Sequence, residues 1–281
     1  MTDNRDQQDF WTNIAGPQWV EHQAAMDALM QPVLDGVMAR AGLADGAHVL
    51  DIGCGTGASA LVAAELVGPD GSVLGVDISS ALLGLARTRA QDHRTISFLE
   101  VDAAAHSFEP SRFDHLISRF GVMFFSDPVS AFANMARALK PGARMDFAAW
   151  GQIPNNPFFT VPARAARDVL GAMPKTDPDA PGPFAFRDVD RVTDMLARAG
   201  FSDVSAEVTQ LDLTPAGTPA DFVEQCCTIG PVEAALRYFE ADDAQHAQIR
   251  DRLRDVLAPF DSPQGLRIPA EINFFSARIS D

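Results

Sequence analysis

Five apolar runs of strand length lie between residues 47 and 150, interleaved with segments of helical periodicity. No other feature narrows the fold as far. Parallel strands need long, usually helical crossovers, and those crossovers are right-handed. The runs are 47–53 ("AHVLDIG"), 71–79 ("GSVLGVDIS"), 95–104 ("TISFLEVDAA"), 112–121 ("RFDHLISRFG") and 143–150 ("ARMDFAAW"). Helices read at 58–68, closed by Gly68 and Pro69, at 80–91, and from Asp127 to just before Pro141. The pattern predicts an α/β fold with a doubly wound, mostly parallel sheet.

The flanks read differently. Upstream, residues 9–41 predict a helix: Trp11, Ile14, Trp19, Met26, Leu29, Met30, Val33, Leu34, Val37 and Met38 recur at three- and four-residue spacing, and Gly42 ends the run. Downstream, residues 151–186 are proline-rich and irregular, with one helix near 161–171. A helix over 187–199 stops at Gly200, and 202–213 reads as a strand. Residues 219–258 are mostly helical with a break at Gly230–Pro231. Residues 266–279 close the chain as a strand, where Pro269 suggests an edge or a bulge.

Composition removes several classes of function. The net charge of −16 and the lack of a Lys/Arg cluster argue against a nucleic-acid binder and against anionic membrane surfaces. No apolar run is long enough for a membrane span, and "MTDNRDQQDF" has no signal-peptide core, so a soluble, cytoplasmic protein is expected. The three cysteines, Cys54, Cys226 and Cys227, form no CxxC pair; they fit neither a disulfide framework nor a metal site and read as small apolar residues.

The first run leads into "GCGTG", three glycines within five positions (53–57). Glycine permits positive φ and close approach of a ligand to the backbone, and the helix that follows offers free N–H groups. Two ligands fit this turn: the pyrophosphate of a dinucleotide, or the amino-acid end of S-adenosylmethionine. Gly53, Gly55 and Ala58 even satisfy a G-x-G-x-x-A pattern. Asp51, directly before the turn, repels a pyrophosphate and attracts an α-ammonium. Asp77, ending the second run, can accept from ribose hydroxyls of either ligand. Asp102, ending the third, suits the exocyclic amine of adenine, with the Ala103 N–H available to a ring nitrogen.

The segments 49–57, 73–79, 100–104, 113–143 and 147–150, in this order and spacing, resemble the class I S-adenosylmethionine-dependent methyltransferases of the ubiquinone/menaquinone-biosynthesis-like branch, over about half the chain. The resemblance implies a seven-stranded Rossmann-like sheet whose last strand (267–279) runs antiparallel beside 203–212. It divides the chain into an N-terminal helical lid (1–44), a cofactor-binding core (45–150), a first cap insertion (151–186), continued core (187–212), a second cap insertion (213–265) and the final strand region (266–281). It places Gly53 and Gly55 along the methionine portion, Asp51 near the ammonium, Asp77 on the ribose, Ile78 on the adenine face, Asp102 and Ala103 on adenine, and Arg119 near the methionine carboxylate or the mouth of the site. Ala143 stands where the family often has glycine.

Methyl transfer from a sulfonium needs alignment and exclusion of water more than a catalytic triad. A base is needed only for a neutral acceptor, and the candidates are His22, His106 and Tyr238, none compelling; no catalytic residue is assigned. Phe120, Val122, Met123, Phe124 and Phe125, with Phe158, Phe159 and Phe184, suggest a small apolar or aromatic acceptor. An NAD(P)-dependent oxidoreductase, disfavoured by Asp51 and Asp102, and a non-catalytic cofactor-binding protein on the same fold stay open. The oligomeric state is not legible.

Overall fold

The computed structural model describes residues 4–280; residues 1–3 and residue 281, at the two ends of the lid and final-strand readings, lie outside it. The region read as one helix over 9–41 is four pieces: α1 (Arg5–Asp9), a π-helical stretch (Phe10–Ile14), α2 (Ala15–Glu21) and α3 (Gln23–Ala41). Periodicity holds in α3, where Met26, Leu29, Met30, Val33, Leu34, Val37, Met38 and Ala41 are buried. It fails upstream for local reasons. His22 sits at φ −100° and ψ 18°, outside the helical basin. Gly16 lets the chain fold back so tightly that a Cβ there would lie 2.0 Å from the Trp11 carbonyl oxygen.

Next come β1 (His48–Ile52), α4 (Ala58–Val67), β2 (Ser72–Asp77), α5 (Ser80–Arg89), β3 (Ile96–Glu100), β4 (Phe113–Arg119), α6 (Pro128–Ala136) and β5 (Leu139–Trp150). Helix α6 is shorter than expected and β5 longer. Phe113 pairs with Leu139, but the register then slips so that His115 faces Arg144. The Pro141–Gly142 pair, locally a helix stop, is accommodated in that irregularity within the strand. The chain continues through α7 (Pro157–Leu170), α8 (Val189–Arg198), β6 (Ser202–Leu213), α9 (Pro219–Thr228), α10 (Pro231–Tyr238), α11 (Asp243–Leu257) and β7 (Ile268–Arg278). Helix α7 packs against both α10 and α11, so the segments that follow β5 and β6 meet each other.

The seven strands run in the order β3-β2-β1-β4-β5-β7-β6. The first five are parallel, and β7 is antiparallel to both of its neighbours. Successive strands step outward from β1 to β3, and the chain then returns to β4 on the other side. The carboxyl ends of β1 and β4 therefore form the crevice at which such sheets bind ligands. The strands there are buried on both faces; Val49, Leu50, Leu116 and Ile117 are fully enclosed, which is why they read as unbroken apolar runs.

Strand β7 is interior, not an edge, and Pro269 sits at its end. Pairing with β5 stops at Trp150 opposite Ile272, whereas pairing with β6 continues past Pro269. Its missing N–H thus falls where one side has no neighbouring strand. Beside it the buried Glu271 gathers the outgoing chain. Its carboxylate accepts from the Gln152 N–H (2.7 Å), Asn155 Nδ2 (2.7 Å) and Gln210 Nε2 (3.0 Å), and its own N–H donates to Asn156 Oδ1 (3.0 Å). This cluster sets the start of α7. Among the described residues no helix is long and apolar enough to cross a membrane.

Candidate active site

The glycine turn is compressed against the adjacent strand. Gly53 has φ +65°, and a Cβ on it would lie 2.5 Å from the Cα of Gly121, just past β4. Its N–H and that of Cys54 both donate to the Val76 carbonyl, at 2.8 and 3.1 Å, which fastens the turn to the end of β2. Gly55 also has positive φ, but the space where its Cβ would stand is open for 4 Å. One glycine is thus required by packing and the next leaves room over the backbone.

Around this turn the strand-end charges are held in distinct ways. Asp77 accepts from the Gly55 N–H (2.8 Å) on one oxygen and the Ser79 N–H (2.9 Å) on the other. Burial pushes its pKa up, and those backbone donors pull it down. A carboxylate has about four acceptor sites, so both oxygens keep capacity. Asp51 is fully buried below the turn. Ser59 Oγ donates to its Oδ2 at 2.6 Å, and Oδ1 is buried with no partner. Burial raises its pKa to about 7, against the pull of Ser59 and Arg119. Arg119, at the end of β4, places Nη2 3.5 Å from Asp27 Oδ1 on α3, and Asp27 also pairs with Arg89 at 2.8 Å. Its Nη1 is buried without a partner. A buried acceptor and a buried donor, both unmatched, therefore stand on neighbouring strands at the crevice. Each costs about 1–3 kcal/mol while it stays unpaired.

Asp102 is already engaged from an unexpected quarter. Asn4 Nδ2 lies 3.1 Å from both of its carboxylate oxygens, and the Ala104 N–H donates to Oδ1 at 2.9 Å. Ser126 Oγ in turn donates to Asn4 Oδ1 at 2.9 Å. A second tie holds the same segment, since Ser79 Oγ donates to the Trp11 carbonyl at 2.8 Å. Nothing in the polar N-terminal sequence marks Asn4; the contact spans 98 positions.

These groups border one cavity of about 640 Å³. Gly53, Gly55, Asp77, Ile78, Asp102, Ala103 and Arg119 line it, while Asp51 lies beneath the wall. Its far end is aromatic. Trp150 stacks parallel to both Phe120 (4.5 Å, 2° between planes) and Phe158 (5.7 Å, 5°), and Phe159 stands edge-on to Trp150 and to Phe184. Phe222 of α9 closes this end. Trp11 lines the opposite wall, edge-on to Phe124 and Trp19. Met123 and Phe125 also reach the cavity, but Val122 is buried outside it. His22, His106 and Tyr238 do not line it: His106 packs edge-on to Phe108, and Tyr238 is 56% exposed. Cys226 lines the cavity on α9, where burial pushes its thiol pKa up and keeps it a small apolar group.

Phe120 carries a backbone conformation that its side chain disfavours. Its φ is +66°, which costs a non-glycine residue about 1–2 kcal/mol. Three bonds hold it there. The Phe120 N–H donates to the Ala148 carbonyl (3.1 Å), the Gly121 N–H to Ser118 Oγ (3.1 Å), and Ser118 Oγ to the Ile52 carbonyl (2.7 Å).

The sheet order and a glycine turn at its switch point define a doubly wound α/β protein of the cofactor-binding kind. A family model described as a methyltransferase domain matches residues 49–142. The demethylmenaquinone methyltransferase of Renibacterium salmoninarum is 31% identical over 172 residues, 58% of this chain and 70% of that protein. The aklanonic acid methyltransferase of Streptomyces sp. (strain C5) is 40% identical over 104 residues, 36% of this chain and 47% of that one. Among solved structures, a phosphoethanolamine N-methyltransferase of Haemonchus contortus, in complex with S-adenosylhomocysteine, aligns with all of this chain and 61% of its own at a TM-score of 0.58 and 19% identity, a likeness of fold. The chain belongs to the class I S-adenosylmethionine-dependent methyltransferases, in the ubiquinone/menaquinone-biosynthesis-like branch. It spans about half the length of several of the curated relatives it matches.

Proposed function

We propose that the chain methylates a small apolar or aromatic molecule in the cytoplasm, with S-adenosylmethionine as donor. The observation that carries this reading is the unmatched pair at the crevice. Asp51 Oδ1 and Arg119 Nη1 are a buried acceptor and a buried donor, each without a partner. An α-ammonium and an α-carboxylate on one carbon complement them, and a pyrophosphate does not. Arg119 takes the carboxylate and Asp51 attracts the ammonium. Gly53 and Gly55 leave backbone room for the methionine chain, Asp77 accepts from the ribose hydroxyls, Ile78 lies on the adenine face, and Asp102 with the Ala103 N–H reads the adenine edge.

Bound there, S-adenosylmethionine supplies a methyl group on cationic sulfur, an electrophile activated by its own charge. The chain's remaining task is alignment and exclusion of water. The aromatic end of the cavity serves both purposes. The N-terminal segment and the insertions 151–186 and 213–265 act as lid and cap over it. No histidine or tyrosine among the described residues lines the cavity, so none of the three sequence candidates serves as a base there; the carboxylates that line it are Asp77, Asp102 and Glu233. The net charge of −16 supports a small molecule rather than a nucleic acid as acceptor.

Calorimetry with S-adenosylhomocysteine and with NADH tests the donor; binding of NADH alone overturns the reading. Mass spectrometry of small phenols, thiols and amines incubated with S-adenosylmethionine tests the transfer. Asp77→Ala removes a charged acceptor and frees two backbone N–H groups that it holds. S-adenosylhomocysteine should bind at least about tenfold more weakly to this variant. Unchanged affinity in a folded variant places the ribose elsewhere.

A further inference from the structure

Resting on the methyltransferase reading, we propose that Phe120 is the acceptor's specificity-determining residue: it presents one ring face as a platform on which only a flat, conjugated acceptor stacks. Three observations converge on it. Its φ of +66° is a conformation that phenylalanine rarely adopts, and a network from Ser118, Ile52 and Ala148 enforces it. Such strain persists where the surrounding structure over-determines it, and it clusters at ligand contacts. One face of the ring is taken by Trp150, parallel within 2° at 4.5 Å. Phe120 lines the cavity and is only half-buried, so part of its surface is open to a ligand.

Its place in the cavity gives the platform its meaning. Phe120 adjoins Gly121, whose backbone abuts Gly53 of the cofactor turn. It stands at the seam between the glycine turn and the aromatic end. Trp150 stacks parallel to both Phe120 and Phe158, and of these three rings Phe120 is the one joined to the turn through Gly121. A planar acceptor extends this stack by one ring. Its plane is thereby set parallel to the Phe120 ring, and its edge faces the donor half of the cavity. A saturated ring of the same size fills the volume but has no π-face with which to stack.

The probes are 1-naphthol and its saturated counterpart decahydro-1-naphthol, titrated by calorimetry with and without S-adenosylhomocysteine. The wild-type protein should bind 1-naphthol several-fold, up to about tenfold, more tightly than the saturated probe. Phe120→Leu keeps apolar bulk but loses the flat face; its preference should fall to within about twofold. Phe120→Tyr should restore the preference, an outcome that a purely structural role for the ring does not require. A wild-type protein that does not discriminate, or a folded Phe120→Leu that discriminates as well as wild type, overturns the proposal. The wild-type ratio is read whether or not any variant folds. Discrimination that persists while S-adenosylhomocysteine fails to bind overturns the methyltransferase reading and supports the platform.

Discussion

Asp51→Asn should stabilise the cofactor-free protein at mildly alkaline pH and at the same time cripple its hold on the cofactor. Burial lifts the Asp51 pKa to about 7, whereas an unfolded chain holds such a group near about 3.9. An acid raised on folding contributes stability that is fully present below the unfolded value and is lost as pH rises through the folded one. The shift of about three units corresponds to on the order of 4 kcal/mol, fully lost by about pH 8. Asparagine removes that dependence, less the cost of a buried amide whose second group needs a partner. Denaturant unfolding of both proteins at about pH 5 and about pH 8 checks this: the stability difference in favour of the variant should grow with pH. A difference that is the same at both values shows that folding does not raise the Asp51 pKa. Affinity should move the other way. Loss of the attraction that the buried carboxylate exerts on the ammonium should weaken S-adenosylhomocysteine binding by roughly tenfold. For the wild type, affinity should fall as pH drops below about 7, because the neutral acid no longer attracts an ammonium. Asp77 and Arg119 face the same group and shift the midpoint in opposite senses.

Deletion of residues 1–22 should leave the sheet folded and strip the site of its cover. Among residues 4–22 only Asn4 and Gly16 are buried, whereas α3, which begins at Gln23, buries eight residues against the sheet. The deletion removes Trp11 from the cavity wall and frees Asp102 and Ser79 from their contacts with Asn4 and the Trp11 carbonyl. Thermal unfolding should stay cooperative. Release of S-adenosylhomocysteine, followed by stopped-flow fluorescence, should speed up by at least roughly tenfold, and methyl transfer should fall because water reaches the reacting centre. Unchanged release, or a protein that no longer folds, makes the segment a brace and not a lid.

The strand-end half of the cavity was far more legible than the aromatic half, for a physical reason. Buried parallel strands such as His48–Ile52 and Ser72–Asp77 must be apolar along their whole length, and Gly53 must be glycine because Gly121 leaves no room for a Cβ. Local sequence carries both facts. The kink at His22 and the early start of β5 at Leu139 depend on what the chain packs against, which periodicity does not encode. Asn4 reaches Asp102 across nearly a hundred positions, and its immediate neighbours give no sign of it. Phe120 reads as a bulky apolar residue after a strand; that it adopts a glycine-like φ follows only from the bonds made by Ser118 and Ala148. The phenylalanines sort themselves in the same way. Phe158 and Phe159 face the cavity because of where α7 begins, and Val122, one residue from a cavity-lining methionine, does not.

That starting point is governed by Glu271. Its carboxylate and N–H make three hydrogen bonds to the outgoing loop just before α7, and its carboxylate accepts a fourth from Gln210 of β6. The strand-end half of the cavity is built from segments that the sheet cannot alter without unfolding. Phe158 and Phe159, which supply part of the aromatic half, follow directly on this cluster at the start of α7. The fold thereby separates what must stay constant from what can drift. Exchange of α7, α9 and α10 between relatives, with the Glu271 cluster left intact, offers a route to new acceptor ranges on an unchanged donor grip.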